Sequence, residues 1–423
     1  MITIKKAVAD FIREPLLSPF GFKGGHVSEI WQSVVRLESN SYKSLGLGIQ
    51  SVLWSDAGVF AGNCPAGGNA IMFAMTCHAA KLLKGMTFEN PGELLDRLLP
   101  PVLEYGKLIS GFPSMRMTFA LNALVPIDLA AWVLYARENK LDNFDDIIPD
   151  YASSAMTHRH SALSKIPLIT YGLGREDIEK ILSEGSFVLK IKIGSDPDGD
   201  GDVKKMLSWD KSRLSLIHEL ADKYSTEHTD SGKIAYYLDA NGRYPDKNTL
   251  LRLLDHADKI GALDRIVLLE EPFDELNEVP VHDVPLRLAS DESAHCADDA
   301  VRRIELGYSA IALKPIAKTL SMSFRILREA YERNVPCFCA DLTVTPIMLE
   351  WNKSFASRLS PLPGLRTGVV ESNGDQNYVR WEELCSYHPL KGASYITPVG
   401  GAFRLGDEFY RDSGGIFLDS EYY

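Results

Sequence analysis

From about Ile166 onward the chain repeats one pattern: a short run of β-branched and apolar residues, then a longer stretch with apolar positions at helical spacing. The runs are IPLITYG (166–172), FVLKIKIG (187–194), KIAYYLDA (233–240), RIVLLEEP (265–272), LRLASDES (286–293), SAIALKP (309–315), VPCFCAD (335–341) and TGVVES (367–372). Near-continuous apolar runs joined through helices read as parallel strands buried on both faces. Eight of them favour an α/β fold closed as a (β/α)8 barrel over a doubly wound open sheet.

The chain before the barrel mixes strand-like runs (SVVRLES, SLGLGIQSV) with helical stretches (GNAIMFAMTCHAAKLL, FALNALVPIDLAAWVLYAREN), an α+β pattern. The expected organisation is an α+β capping domain at 1–150 and the barrel at 151–385. A C-terminal segment at 386–423, Gly-rich and apolar in YITPVGGAFRL, is expected to return to the cap. Two glycine-rich stretches, Pro19 to Gly25 and Asp56 to Gly68, lack the Lys/Ser of a phosphate loop. They read as mobile loops that close over the barrel mouth and help to choose the substrate.

Composition narrows the partners. A chain of 423 residues with 45% hydrophobic and 24% charged residues is globular and long enough for two domains. A net charge of -12 speaks against nucleic-acid binding, which needs a basic face, and leaves a small molecule as the expected partner. The most apolar window, Phe119 to Ala136, is broken by Asn122, Pro126 and Asp128, so it reads as a buried helix and no membrane span is expected. The start, MITIKKAVADFIREPL, places Asp10, Arg13 and Glu14 where an export signal needs apolar residues. Cys64, Cys77, Cys296, Cys337, Cys339 and Cys385 form no CxxC pair and read as reduced thiols of a cytoplasmic protein. Homo-oligomerisation is compatible with all of this.

The candidate chemistry lies in where the charges fall. Lys190 and Lys192 sit on strand two, Asp239 ends strand three, Glu270 and Glu271 end strand four, Asp291 and Glu292 follow strand five, and Lys314 follows strand six. These are C-terminal strand ends, where a barrel of this kind builds its active site. One acid at a strand end is usually a salt-bridge partner. Asp239, Glu270 and Asp291 come from three consecutive strands, and three converging hard oxygen ligands suit Mg²⁺. Lys190 and Lys192 are two apart in a strand, so both face the barrel interior. Strands two and six are four apart in a ring of eight, which puts Lys192 and Lys314 on opposite sides of the acids. That arrangement suits taking a proton from one face of a carbon acid and returning it to the other. It requires a lysine value lowered toward about 7 to 8, with the metal and the Lys190 ammonium as the expected causes.

The ordered set LKIKIG, LDANG, LLEEP, SDES and ALKP resembles the enolase superfamily, and within it the muconate lactonizing enzyme subgroup of the mandelate racemase/muconate lactonizing enzyme-like proteins. The resemblance covers most of the chain, capping domain included. It implies that Asp239, Glu270 and Asp291 bind Mg²⁺, that Lys192 and Lys314 are the acid/base pair, and that Lys190 supports the substrate carboxylate. The enediolate intermediate it implies is a known property of that superfamily. Asp341 and Glu371, at strands seven and eight, are the remaining candidates for substrate contact.

Two departures from the pattern bear on specificity. Strand seven ends in Cys339, Ala340 and Asp341 with no histidine base, which speaks against the mandelate racemase branch. Strand eight runs Glu371, Ser372, Asn373, Gly374, Asp375 in place of the Asp-x-Asp of the dipeptide epimerases. Lys192 and Asp239 are 47 residues apart (239 minus 192), so an insertion is expected around 196–232. Its DPDGDGDVKKML resembles a calcium loop, but Leu207 stands where the last ligand should be, and a solvated acidic loop is the expectation. The leading reading is a Mg²⁺-dependent racemase or epimerase that abstracts the proton α to a carboxylate, of an N-acylated or peptide-linked amino acid. The alternatives are a cycloisomerase or o-succinylbenzoate synthase-type eliminating enzyme, and a catalytically silent barrel used for binding.

Overall fold

The computed structural model describes residues 1–22 and 25–423. Strands β1 (Lys6–Phe22), β2 (Gly25–Glu38) and β3 (Lys43–Gln50) form an antiparallel sheet in the order β1-β2-β3. Four helices follow: α1 (Val52–Ser55), α2 (Ala57–Leu83), α3 (Pro91–Ser110) and α4 (Met117–Asn139). Helix α4 lies directly on β3. A Cβ added at Gly46 would stand 2.0 Å from the Pro126 carbonyl oxygen, so only glycine permits this approach. Helix α4 is long and apolar enough to cross a membrane, yet nearly all of it is buried within the fold. The polar residues that interrupt it are structural. Asn122 accepts from the Ser51 amide at 2.9 Å and donates to the Ile49 carbonyl at 3.0 Å. Asp128 accepts from the amide and hydroxyl of Ser321, tying the cap to the barrel.

The stretch from Asp56 to Gly68 is not the loop its composition suggests. Asp56 caps α2 by accepting from the Val59 amide at 3.0 Å, and residues 57–68 are helical. Their glycines are notches for neighbours: a Cβ at Gly58 or Gly62 would meet the Phe112 ring, and one at Gly68 would stand 2.6 Å from Val52. The chain breaks only at Cys64, whose φ of 53° precedes Pro65 and kinks the helix. The other stretch is the end of the β1–β2 hairpin, where Phe22 pairs with Gly25; Lys23 and Gly24 lie outside the described residues.

Eight strands are present, the first lying earlier than the expected 166–172: β4 (Ala162–Ile166) with its continuation β5 (Leu168–Ile169), β6 (Val188–Lys192), β7 (Ala235–Asp239), β8 (Ile266–Glu270), β9 (Leu288–Ser290), β10 (Ala310–Leu313), β11 (Cys337–Cys339) and β12 (Gly368–Glu371). Each pairs in parallel with the next. Pro167 separates β4 from β5, and the two halves face opposite neighbours: β4 pairs with β12, and β5 with β6. That split strand closes the barrel. Strand β13 (Ala402–Arg404) of the C-terminal segment adds antiparallel to β4. The chain then reaches the capping sheet, where Gln32 Nε2 donates to the Tyr423 hydroxyl at 2.6 Å.

The segment between β6 and β7 holds helix α5 (Val203–Ala221) behind the acidic loop. The loop satisfies itself. Lys205 pairs with Asp198 and Asp200, Asp196 accepts from the Gly201 amide, and Asp202 caps α5. One acid of α5 reaches the barrel: Asp210 accepts from the Gly194 and Ser195 amides and the Tyr244 hydroxyl, holding the turn just after Lys192. Burial raises its carboxyl to about 6, against bonds from Gly194 and Tyr244 that lower it. Between pH 4 and 6 the unfolded chain therefore loses this proton while the folded chain keeps it, so stability falls as pH rises through that window. The expected loss is roughly 3 kcal/mol. Urea unfolding against pH should show this slope, and Asp210→Asn should remove it; a variant with the same slope would contradict the assignment.

Candidate active site

The C-terminal ends of β6 to β10 bring the expected charges together beneath the capping domain. Lys190 lies at the centre, its Nζ 2.9 Å from Asp239 Oδ2, 2.8 Å from Glu270 Oε2 and 3.0 Å from Glu371 Oε2. Lys192, one inward position further along β6, donates to Asp239 Oδ2 at 2.6 Å and to Asn241 Oδ1. Across the barrel, Lys314 Nζ lies 2.5 Å from Asp291 Oδ2. Both Lys192 and Lys314 line one cavity, whose walls also include Asp239, Asp291, Asp341 and Glu371.

Local backbone geometry aims several of these groups. Asn241 and Glu271 adopt left-handed φ values of 44° and 41° just past β7 and β8. Such conformations cost of order 1 kcal/mol for residues with a Cβ and are kept where a side chain must point in one direction. From there Asn241 bridges Lys192 and Glu292, donating to Glu292 Oε1 at 3.1 Å. Glu271 Oε2 accepts from the Asp291 amide at 2.7 Å and from Ser293, which braces the loop carrying Asp291.

The charges set one another's proton affinity. Burial alone would lower Lys190, but Asp239, Glu270 and Glu371 hold it well above the usual lysine value. Burial, then repulsion from Asp239, pushes Glu270 well above the usual carboxylate range. Burial would also raise Asp239 and Asp291. Lys190 and Lys192 hold the first low, and Lys314 and Lys318 the second. The expected lowering of a catalytic lysine is not observed at Lys314, where burial is outweighed by Asp291 and Glu270 and the value rises. In this arrangement the carboxylates neutralise the lysines directly.

The residues fit a divalent cation. Glu270 Oε1 is buried and receives no hydrogen bond, a costly condition that a cation would relieve. Among the described residues, the acids whose oxygens lie within 4.8 Å of one another are Glu270, Asp291 and Glu292. The expected ligands Glu270 and Asp291 are in this group, and Asp239 is not, because both lysines of β6 hold its Oδ2. Glu292 joins this group, the second acid in SDES.

Two further contributors carry little sequence signal. Lys318, fully buried, lies 3.2 Å from Asp291 Oδ1 and donates to the Asp291 carbonyl at 2.6 Å. Trp54 comes from the cap, on α1. Its indole donates to Asp291 Oδ2 at 3.3 Å, and the Lys314 Nζ stands 4.5 Å from its ring centroid. Asp341 and Glu371 are at the cavity wall as expected, but with protein partners. Glu371 Oε2 accepts from Lys190 and from the Asp341 amide. Asp341 accepts from the amides of Leu342, Val344 and Asn373; burial and the Glu371 charge raise its carboxyl to about 7.

A β-sheet cap over a parallel barrel is also the architecture of solved structures. A mandelate racemase/muconate lactonizing enzyme from Roseiflexus sp. superposes with a TM-score of 0.67 at 17% identity, over 97% of both chains. The chain has the enolase-superfamily fold. The L-Ala-D/L-Glu epimerase from Bacillus subtilis shares that fold with a TM-score of 0.62 at 17% identity, over 86% of this chain and 89% of its own. The muconate lactonizing enzyme from Pseudomonas fluorescens, complexed with muconolactone, does so at 0.62 and 18%, over 87% of each chain. No family model and no curated protein matches the sequence.

Proposed function

We propose that this protein is a Mg²⁺-dependent racemase or epimerase that moves the proton α to a carboxylate. The observation that carries the reading is the placement of two lysines, Lys192 and Lys314, on strand ends four apart in the barrel, both facing one cavity with buried acids between them. Asp239, Glu270 and Asp291 would hold Mg²⁺, with Glu292 beside them. A bound Mg²⁺ supplies positive charge that stabilises the substrate carboxylate as it gains negative charge.

The chain's own groups do the rest. Lys190, held in place by three acids, directs its charge at the floor of the cavity, where the substrate carboxylate binds. Lys192 Nζ takes the α-proton on one face, and Lys314 Nζ returns one on the other; the roles reverse for the opposite enantiomer. Trp54 and Lys318 steady Asp291, so that Lys314 keeps its aim. Asn241 does the same for Lys192. The cap excludes water from the reacting carbon, which strengthens every charge interaction below it.

A cycloisomerase needs one lysine for protons and uses the other only for charge. The placement of Lys192 beside Asp239 and Lys314 beside Asp291, on strand ends four apart, favours two-sided proton transfer. In D2O with Mg²⁺, a panel of chiral carboxylates should take up α-deuterium, and a chelator should stop the uptake. Uptake by none of a broad panel of N-acylated, peptide and hydroxy acids would contradict the reading.

A further inference from the structure

The acids that fit a cation stand between two cavities. Asp291 lines the cavity that holds the lysines, whereas Glu292, in the same close group, lines a second one. Asn241 borders both, and its side chain spans the partition from Lys192 to Glu292. The second cavity is the roomier, at about 370 Å³ against about 80 Å³, and Gly58 and Asp274 on its wall are exposed.

The two approaches to the acids differ in charge. On the first, Asp291 Oδ2 is covered by the Lys314 ammonium at 2.5 Å and the Trp54 indole at 3.3 Å, and Asp239 Oδ2 by Lys190 and Lys192. A cation arriving there meets like charge before it meets a carboxylate. The second cavity is lined by five acids against Arg116 and Arg243. One of these acids, Glu271, is 1% exposed. Its Oε2 accepts from the Asp291 amide and from Ser293, while its Oε1 is buried and receives no hydrogen bond. A bare buried carboxylate oxygen is costly, and a cation beside it offsets that cost. Mg²⁺ also gives up its waters reluctantly, so a wider, negatively lined path suits it.

We infer that the divalent cation reaches Glu270, Asp291 and Glu292 through this second cavity, past Asp274 and Glu271, and that the lysine-lined cavity is left to the substrate. The metal can then exchange while a substrate fills the first cavity. The inference rests on the proposed function for the cation's place on these acids and goes beyond it in giving the second cavity a role.

Rapid mixing of the full chain with Mn²⁺, followed by tryptophan fluorescence, tests this, because Trp54 sits on Asp291. A plug in the route slows entry and exit by the same factor and leaves the equilibrium unchanged. Ala57 lines the second cavity and Leu342 the first. Ala57→Phe should slow both Mn²⁺ association and release into excess chelator about tenfold, by the same diffusional barrier, with Kd held within about twofold. Leu342→Trp should leave both rates as in the parent. Asp274→Asn keeps the oxygen that accepts from the Leu276 amide and removes only a charge. It should slow association about threefold at an ionic strength of about 0.01 M and have no effect at about 1 M. This variant carries the test if Ala57→Phe does not fold. Parental rates in both second-cavity variants overturn the inference, as does slowing by Leu342→Trp alone, and either result leaves the metal site itself standing. A parent protein that binds no Mn²⁺ contradicts the metal site, and the route falls with it.

Discussion

Replacing Glu270 by glutamine should reduce Mg²⁺ affinity at least about 100-fold and turnover to background while the fold stays intact. Glu270 is wholly buried, its Oε1 receives no hydrogen bond, and it is one of the closely grouped acids that fit a cation. Glutamine keeps an acceptor for the Tyr237 hydroxyl and for Lys190, both of which now bind Glu270 Oε2. It removes a charge that burial and Asp239 already disfavour, so stability should change by no more than about 1 kcal/mol. Titration with Mn²⁺ followed by its relaxation effect on water checks the affinity, and thermal unfolding checks the fold. Undiminished metal binding would remove Glu270 from the ligand set.

Lys190→Met should act on the fold itself. Three buried carboxylates, Asp239, Glu270 and Glu371, share this one ammonium at 2.8 to 3.0 Å. Removing it leaves buried negative charge uncompensated, and breaking a buried ion pair in this way costs about 3–5 kcal/mol. Added Mg²⁺ should restore part of the loss, since a cation on the same acids replaces part of the missing charge. Lys192→Ala should cost much less, because Asp239 would still have Lys190. Urea unfolding of both variants with and without Mg²⁺ tests the ordering, and equal stabilities would contradict it.

The strands were legible because burial on both faces leaves a continuous apolar run, and because the charged residues break those runs only at their C-terminal ends. The same contrast exposed Lys192, Asp239, Glu270, Asp291 and Lys314. Lys318 and Trp54 stayed hidden: one is a lysine in the turn that follows strand six, the other an aromatic in the cap, and only the tertiary fold brings both onto Asp291. The glycines of 56–68 misled for a related reason. Glycine serves both mobile loops and close helix packing, and the large neighbour that decides between them, Phe112, is distant in sequence. Asp341 and Glu371 were visible as acids, but nothing local shows that backbone amides and Lys190 already occupy them.

The central claim is that Lys192 and Lys314 serve opposite faces of one carbon, and its most direct test is enantiomer-resolved exchange in D2O. With a substrate that the parent protein racemises, Lys192→Ala should lose α-deuterium uptake from one enantiomer and retain it from the other. Lys314→Ala should give the mirror result, and neither variant should interconvert the enantiomers. Loss of exchange from both enantiomers in each single variant would contradict the two-sided account and place all proton transfer on one lysine.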